Sequence, residues 1–428
     1  INYLDALAKT LEQAKDLPRE TVSVRDAINR VSAEDVAAQE NVPGFDNSAM
    51  DGFAVCSKDT KTACENAPIV LNKIGMIVAG VFNDTAIEAK DKTNTACEIM
   101  TGAVLPAGYD AVVRVEDVVR EKNEKGETIA ISLSKPLAVK ENVRYAGEDF
   151  KPSDMILRAG GEITPAHLMA LLGVGVADVS VRKKPRVVFI CTGDELVDDP
   201  QQSLKKGQIR NTTGAYLHAF LTSVHAEVSE YKSVPDQKDA FLSVLSGAQT
   251  MMADVILSTG AVSMGQRDFI PSLLEQAGAK ILFHKVSMRP GKPLLLAKLK
   301  NGAYFFGLPG NPISSTVGLR FVVYPFLRKI QGMPAEQPIV GRLTSDVNRK
   351  PGLRFFLKAH AFVDEAGQIN VDILQGQESF KIKPLLHANC WAVLKEDQEK
   401  TGPYKTGDNV DIYPLLPSHS FLATAESL

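Results

Sequence analysis

Between residues 186 and 328, one pattern occurs three times: a short apolar run, a glycine turn and a polar helix start. The apolar runs are residues 186–191, 254–258 and 304–306. Runs of this length, rich in β-branched and aromatic residues and separated by helical patterns, predict buried parallel strands. The turns after such strands converge at one edge of the sheet, where ligands of open α/β sheets bind. Because glycine lets the backbone approach a ligand and helix-start N–H groups attract anions, we predict a doubly wound α/β domain with an anion-binding site.

The rest of the 428-residue chain has a different character, and its length favours about three domains. On both sides of the α/β region, short alternating apolar runs separated by Gly, Asn, Asp and Pro predict two small β-domains, the first of them barrel-like. The first helix is expected to pack on the α/β domain, so the first β-domain is an insertion and its flanks form one elongated unit. The predicted fold is multidomain α/β plus β, with an α/β domain at 1–18 and 176–330, an inserted β-domain at 46–140, an elongated linking domain at 19–45 and 141–175, and a C-terminal β-domain at 331–428.

Composition and charge exclude several function classes. The chain has 48 Lys and Arg against 51 Asp and Glu, a net charge of −3, which gives no general attraction to nucleic acid or anionic membranes. The longest apolar run, residues 168–177, is too short to cross a bilayer, and no secretory signal pattern is found. The 5 cysteines are scattered without Cys-x-x-Cys spacing. This scattered arrangement argues against a disulfide framework or a zinc site, and it predicts a cytoplasmic protein.

Acidic residues stand in or just after two of the three glycine turns. They are Asp194, Glu195 and Asp268. Carboxylates that converge at a strand-end crevice repel anions unless a hard cation bridges them, which predicts Mg²⁺ with oxygen ligands. Helix capping is the alternative for all three acids, and for Asp268 it explains the sequence equally well. For the pair that directly follows Thr-Gly, a functional role is favoured.

A basic turn and a polar turn complete the predicted site. Arg289 and Lys292 lie in a turn that Pro290 and Pro293 stiffen, and a stiff turn holds cations in place at lower entropic cost. Arg offers a planar fork for a tetrahedral oxyanion. Asn311, Ser314 and Ser315 supply neutral donors at a helix start. Surface charges on a turn and ordinary helix capping are the alternatives. There is no Walker-type loop, no Gly-x-Gly-x-x-Gly after a strand and no Ser/His/Asp set, so the residues alone indicate phosphate or oxyanion chemistry and no more.

Motifs along nearly the whole chain carry a resemblance to one family. Residues 43–55 read Pro-Gly-Phe-Asp-Asn-Ser-Ala-Met-Asp-Gly-Phe-Ala-Val. The others follow in order: Met100-Thr-Gly-Ala103 with Pro106-x-Gly108-x-Asp110, Gly147-Glu-Asp149, Thr192-Gly-Asp-Glu-Leu196, Gly207-Gln-Ile-Arg-Asn211, Val262-Ser-Met-Gly265 with Asp268, Arg289-Pro-Gly-Lys-Pro293 and Gly307-Leu-Pro-Gly-Asn-Pro312. In these motifs and their order the chain resembles the MoeA family of molybdopterin molybdenumtransferases, which includes the gephyrin E domain.

The resemblance implies an elongated, four-part homodimer with a MogA-like α/β domain and a linking domain that serves dimerisation. It implies that molybdate is inserted into the dithiolene of adenylylated molybdopterin with release of AMP, and that Mg²⁺ or a similar cation is needed. Molybdopterin adenylyltransferase and apo-molybdoenzymes, or their chaperones, are the implied partners.

The resemblance also assigns residues. The implied catalytic residues are Asp51, Thr101, Asp149, Glu195 and Asp268. Asp51 and Thr101 would reach the site from the partner subunit, and Glu195 and Asp268 would bind the metal. From the residues alone, Asp51 is typical of a turn and Asp149 of a solvated loop. The implied residues for molybdate and the nucleotide-linked pterin are Thr192, Gly193, Asp194, Gly260, Ser263, Gly265, Arg289, Lys292, Pro309, Gly310, Asn311 and Ser314.

The chain departs from the family pattern at several positions. Gly44 replaces a usual proline, Phe53 a common tyrosine, Ala261 a usual glycine and Gln266 a frequent acid, and Asn211-Thr-Thr-Gly214 replaces Asn-Ser-Asn. The last three border the predicted site, so they are expected to alter substrate affinity or metal ligation.

Two other functions are weighed against the transferase. The α/β domain also resembles the adenylyltransferase that makes the intermediate, but the two β-domains and the 43–55 motif argue against that enzyme. A gephyrin-like scaffold is the second alternative, and the absence of a long linker or a fused second enzyme argues against it.

Overall fold

The computed structural model describes residues 1–80, 92–230, 233–261, 269–396 and 402–417. None of the helices in these ranges is long and apolar enough to span a membrane. A π-helical turn, Leu319–Val323, joins the last two helices. The α-helices are α1 (Tyr3–Glu12), α2 (Pro165–Gly173), α3 (Thr212–Ser223), α4 (Lys238–Thr250), α5 (Ile270–Gln276), α6 (Pro312–Gly318) and α7 (Tyr324–Ile330).

The strands before residue 185 build two units. Three antiparallel pairs, β1–β12, β2–β11 and β3–β10, join the segments on either side of the insertion, so these two segments form one unit. Strands β4 to β9 form a six-stranded sheet in the order β7-β4-β6-β5-β9-β8. The strands are β1 (Arg19–Ser23), β2 (Val36–Ala37), β3 (Asn47–Ser48), β4 (Gly52–Val55), β5 (Ile69–Ile77), β6 (Thr95–Ile99), β7 (Ala111–Arg114), β8 (Val119–Lys122), β9 (Thr128–Leu133), β10 (Val143–Arg144), β11 (Met155–Leu157) and β12 (Asp178–Arg182).

The inserted sheet buries both of its faces. Successive side chains of a strand point to opposite faces. Phe53 and Val55 belong to one apolar cluster, and Ala54 belongs to another on the opposite side. Among the described residues the outer strands β7 and β8 do not pair with each other. The predicted inserted β-domain is therefore present, as a sheet with apolar clusters on both faces.

The α/β domain has a mixed six-stranded sheet in the order β16-β13-β17-β21-β20-β18. The first four strands are parallel, and the last two pair antiparallel. Val187 and Phe189 enter one apolar cluster, which also contains Tyr3 of α1, while Val188 and Ile190 enter the cluster on the other face. The strands of this region are β13 (Arg186–Cys191), β14 (Leu196–Val197), β15 (Ile209–Arg210), β16 (Glu227–Glu230), β17 (Val255–Thr259), β18 (Lys280–His284), β19 (Met288–Arg289), β20 (Leu295–Lys298) and β21 (Tyr304–Leu308).

The C-terminal domain is a closed five-stranded barrel. Its pairs run β23–β24, β24–β22, β22–β26, β26–β25 and back to β23. The side chains of Phe356 and Trp391 lie outside the barrel core and pack in the apolar cluster of the α/β domain that contains Val187. Strand β19 also pairs with β23, so the two domains pack directly against each other. The multidomain α/β plus β fold predicted from the sequence is confirmed. The strands are β22 (Ile339–Leu343), β23 (Arg354–Val363), β24 (Ile369–Ile373), β25 (Cys390–Leu394) and β26 (Asn409–Pro414).

Candidate active site

The three glycine turns meet at the carboxyl ends of β13, β17 and β21. A cavity of about 650 Å³, which we call the strand-end cavity, opens there. This is the place that the repeated pattern predicted for a ligand. The turn residues that line it are Thr192, Glu195, Gly260, Ala261, Gly310 and Asn311.

The first two turns touch because residue 260 is glycine. The backbone N–H and the hydroxyl of Thr192 both donate to the carbonyl of Thr259, at 3.0 and 3.1 Å. Gly260 has a φ of +87°, and a Cβ atom added there would lie 2.7 Å from the hydroxyl oxygen of Thr192. A side chain at 260 would therefore push the two turns apart.

The acids of the first turn have different surroundings. A Cβ atom at Gly193 would lie 2.8 Å from a carboxylate oxygen of Glu195, so this carboxylate folds back over its own turn into the cavity. Asp194 does not line the cavity. Its carboxylate accepts the backbone N–H of Asp236 at 3.2 Å, a contact between residues 42 positions apart that lies outside any helix start. Asp236 itself lines the cavity, so it supplies the second carboxylate there.

Residues at the start of α3, among them Asn211, also line the strand-end cavity. The side-chain carbonyl of Asn211 accepts the backbone N–H of Gly214 at 2.9 Å, and its amide donates to Asp198 at 3.0 Å. The segment Asn211-Thr-Thr-Gly214 thus keeps a capped helix start despite its departure from the family pattern. Arg210 brings a guanidinium, which donates to the carbonyl of Asp199 at 3.0 Å.

The third turn leads directly into α6. The hydroxyl of Ser315 donates to the carbonyl of Pro309. The backbone N–H of Ile313 donates to the carbonyl of Ser379 in the C-terminal domain, at 3.0 Å. This N–H is therefore not available to an anion, although the sequence suggested that the helix start would offer such donors. Ser314 is buried.

The basic turn lies at a second cavity of about 500 Å³, which we call the Arg289 cavity. The Arg289 guanidinium lies 5.9 Å from the centroid of the Phe355 ring, and Asp346 and Glu378 also line this space. Lys292 is exposed. A Cβ atom at Gly291 would lie 3.6 Å from the carbonyl of Ser314, so the basic turn touches α6. Within one chain, neither Arg289 nor Lys292 lines the strand-end cavity with Glu195.

The acids outside the α/β domain form a third group. Asp51 accepts the backbone N–H of Thr101 at 2.8 Å and its hydroxyl at 3.0 Å, and these two bonds hold the pKa of Asp51 below its ordinary value. Asp149 lines a cavity of about 590 Å³ together with Gly102 and Arg144. Asp51, Thr101 and Asp149 therefore gather around residues 101–102, apart from the strand-end cavity.

Four predicted positions, Ser263, Gly265, Gln266 and Asp268, lie outside the described residues. Within the ranges that are described, no group of three or more His, Cys, Asp or Glu side chains is arranged to hold a metal ion. Two departures have visible consequences. Ala261 has a φ of +51°, a conformation that glycine adopts more readily, and Phe53 is fully buried, where a hydroxyl would need a partner.

Sequence reasoning missed Asp236, Phe380 and Ile382 as cavity residues. Asp236 follows Val234, whose backbone bonds to Cys191 and Gly193 hold that loop against the first turn. That pairing joins residues about forty positions apart and leaves no local pattern. Phe380 and Ile382 come from the C-terminal domain, so no motif of the α/β region indicates them.

Family models account for most of the chain. The MoeA N-terminal region (domain I and II) matches residues 1–175, a probable molybdopterin binding domain matches 188–329, and the MoeA C-terminal region (domain IV) matches 340–415. The two N-terminal units, the α/β domain and the barrel described above thus correspond to these regions.

Curated relatives and solved structures cover nearly the full length. A molybdopterin molybdenumtransferase of Synechococcus elongatus is 35% identical over 402 residues, which are 93% of this chain and 96% of the relative. One of Haemophilus influenzae is 34% identical over 96% of this chain and 97% of the relative. A molybdopterin biosynthesis MoeA protein of Pyrococcus horikoshii superposes with a TM-score of 0.79 at 28% identity, covering 96% of this chain and 99% of that one. The chain therefore belongs to the MoeA family, and it is a transferase of molybdenum cofactor biosynthesis.

Proposed function

We propose that this chain inserts molybdate into adenylylated molybdopterin and releases AMP. The observation that carries the proposal is the strand-end cavity, where two touching glycine turns bring backbone groups and the carboxylate of Glu195 together. Such turns suit a phosphate-linked nucleotide, because the backbone can approach it closely. The full-length relatives, which are molybdopterin molybdenumtransferases, support the same reaction class.

The two cavities suit different parts of this substrate. Thr192, Gly260 and Gly310 would lie along the phosphates in the strand-end cavity. Arg289 offers a planar set of donors for the tetrahedral molybdate oxyanion, and Lys292 of the same turn adds a point charge. Held in this way, molybdate would stand in place for attack on it by the dithiolene sulfurs, which is a gain of proximity rather than of acid–base chemistry.

A divalent cation fits the carboxylates of the strand-end cavity. Mg²⁺ commonly binds through one or two carboxylates, with substrate phosphate oxygens and waters completing its ligands. Glu195 and Asp236 provide two carboxylates in the described part of the cavity, and Asp268 is the further ligand implied by the resemblance. When bound, Mg²⁺ would polarise the phosphoanhydride and neutralise its charge. The chain's own part is to hold the phosphates beside these acids.

A second subunit would complete the site. Asp51 and Thr101 lie apart from Glu195 within one chain, and the side chain of Asp51 is exposed. Helix α2 carries exposed apolar side chains, with Met169 78% and Leu172 46% exposed, which suits a surface covered by another copy. We therefore propose a homodimer in which the Asp51 group of one subunit faces the strand-end cavity of its partner.

The reaction is tested by AMP release from adenylylated molybdopterin. We expect AMP release to need both molybdate and Mg²⁺, and to fall at least 100-fold in Glu195→Gln, since a lost ligand or charge stabiliser typically costs about that much. Release that is independent of molybdate would contradict the proposal. Consumption of ATP with free molybdopterin would instead support the adenylyltransferase alternative.

The shared site is tested by mixing two inactive variants. In a mixed dimer of Asp51→Ala and Glu195→Gln subunits, one site carries both changes and the other carries neither. Random pairing in a two-fold dimer should then restore about a quarter of the wild-type activity. Activity that stays at the level of the separate variants would show that each site lies within one subunit.

A further inference from the structure

One segment of the C-terminal domain separates the two cavities. Residues 376–382, which we call the wall segment, reach both of them. Phe380 and Ile382 line the strand-end cavity. Gly376, Gln377 and Glu378 line the Arg289 cavity. The wall segment therefore lies between the proposed phosphate and molybdate positions.

The wall segment is fixed to the α/β domain at the third glycine turn. The carbonyl of Ser379 accepts the backbone N–H of Ile313, at 3.0 Å, in the first turn of α6. The neighbouring residues Asn311 and Pro312 line the same cavity as Phe380. A change in the position of the wall segment would thus change the shape of the strand-end cavity.

Lys358 holds the wall segment from the outer face of β23, the face that also carries Phe356. Its side chain is fully buried, and its ammonium group donates to the carbonyls of Gly376, Lys381 and Glu378 at 2.7, 3.0 and 3.4 Å. The side chain of Gln377 binds both the N–H and the carbonyl of Lys358, at 3.0 and 2.8 Å. A buried charge is costly unless its protons find acceptors, and here all three acceptors belong to one segment.

Phe380 is an unusual aromatic residue in this setting. Its side chain is 64% exposed although the segment that carries it is anchored on both sides. An anchored phenyl ring at the edge of a cavity offers a flat apolar surface at little cost in side-chain entropy. Flat heteroaromatic rings stack on such surfaces, and the proposed substrate contains two of them, adenine and the pterin.

We propose that Phe380 contacts a heteroaromatic ring of the substrate, and that Lys358 is a positioning residue that keeps the wall segment in register with the strand-end cavity. The proposal rests on the proposed function for the identity of the ligand. It adds a substrate contact from the C-terminal domain.

The first test measures AMP affinity by isothermal titration calorimetry. Phe380→Leu keeps an apolar side chain but removes the ring, and we expect AMP to bind about tenfold more weakly. Phe380→Tyr keeps the ring and should bind like the wild type. Val363→Ala is the control, because Val363 is 48% exposed on β23 and lines neither cavity.

The Michaelis constant for adenylylated molybdopterin distinguishes the two rings. Weaker AMP binding in Phe380→Leu assigns the contact to adenine. Unchanged AMP binding with a raised Michaelis constant and an unchanged turnover number assigns it to the pterin. If both quantities are unchanged, the contact does not exist. A wild-type chain that binds no AMP and releases none would refute the proposed function, and this inference with it.

The second test asks whether Lys358 acts through the wall segment. Lys358→Met should weaken the same binding step as Phe380→Leu, and the double variant should bind no more weakly than Lys358→Met alone. Independent, additive losses would overturn the positioning role. If Lys358→Met does not fold, as judged by circular dichroism, Gln377→Ala replaces it, since this side chain binds the Lys358 backbone directly.

Discussion

Replacing Gly260 with alanine should destabilise the α/β domain by disturbing the contact between the first two glycine turns. The new Cβ atom would lie 2.7 Å from the Thr192 hydroxyl and 2.9 Å from its carbonyl oxygen. At a φ of +87°, the conformation alone costs about 1–2 kcal/mol, and the lower entropy of the unfolded alanine chain returns about 0.5–1 kcal/mol. The steric overlap in a packed region adds about 1–3 kcal/mol. The net loss should therefore be about 1.5–4 kcal/mol.

A matched glycine separates the two causes. Gly302 has a φ of +93°, and a Cβ atom there would meet nothing within 4 Å. Gly302→Ala should therefore show only the conformational part, about 0.5–1 kcal/mol. Urea unfolding followed by circular dichroism measures both variants. If Gly260→Ala loses no more than about 0.5 kcal/mol beyond Gly302→Ala, the two turns do not constrain each other as described.

Three further changes have defined outcomes. Glu336→Gln should lower the free energy of unfolding by about 3 kcal/mol, because Arg320, 1% exposed, loses its bidentate carboxylate; a loss below about 1 kcal/mol in urea unfolding would contradict this. Asn211→Ala should cost about 1 kcal/mol through the α3 cap, and Asn211→Ser much less, so equal melting temperatures for the two would refute the cap. Thr101→Val removes the hydroxyl bond to Asp51 but keeps the backbone bond, which is the larger cause of its lowered pKa, so this pKa should rise only part of the way to 3.8. A complete rise to 3.8 in an NMR titration would contradict this. The stability from Asp51 is complete above pH 3.8 and is lost as the pH falls through its lowered folded pKa.

Local patterns were sufficient to predict the strands and turns of the α/β domain. The predicted runs at 186–191, 254–258 and 304–306 are found as β13, β17 and β21. A buried parallel strand must be apolar on both faces, so it occurs in the sequence as a continuous apolar run that can be recognised without tertiary information. The convergence of the turns follows from the parallel arrangement, so the location of the strand-end cavity was predictable as well.

Residues brought in by tertiary contacts were not predictable in this way. Asp194 and Asp236 show the reason most clearly. In sequence, Asp194 stands in the motif and Asp236 stands near an ordinary helix start. In the structure, Asp194 accepts the N–H of Asp236, and it is Asp236 that lines the cavity. Asp236 reaches the cavity because the backbone of Val234 is bonded to the first turn. Such a long-range pairing produces no local periodicity in the sequence, so it could not be predicted.

The basic turn shows that the charged residues of a sequence do not by themselves indicate which of them share one cavity. The sequence indicated that Arg289 and Glu195 serve one anion-binding site, because a cation and an acid for metal binding complement each other in phosphate chemistry. In one chain they line different cavities, with the wall segment between them. A ligand that contacts both has to extend past residues 376–382, with its phosphates on one side and its molybdate-binding end on the other. A long substrate with two anionic ends satisfies this geometry, whereas free phosphate or molybdate alone would occupy only one of the two cavities. The division of the site by the C-terminal domain therefore favours a substrate of the size and shape of a nucleotide-linked pterin.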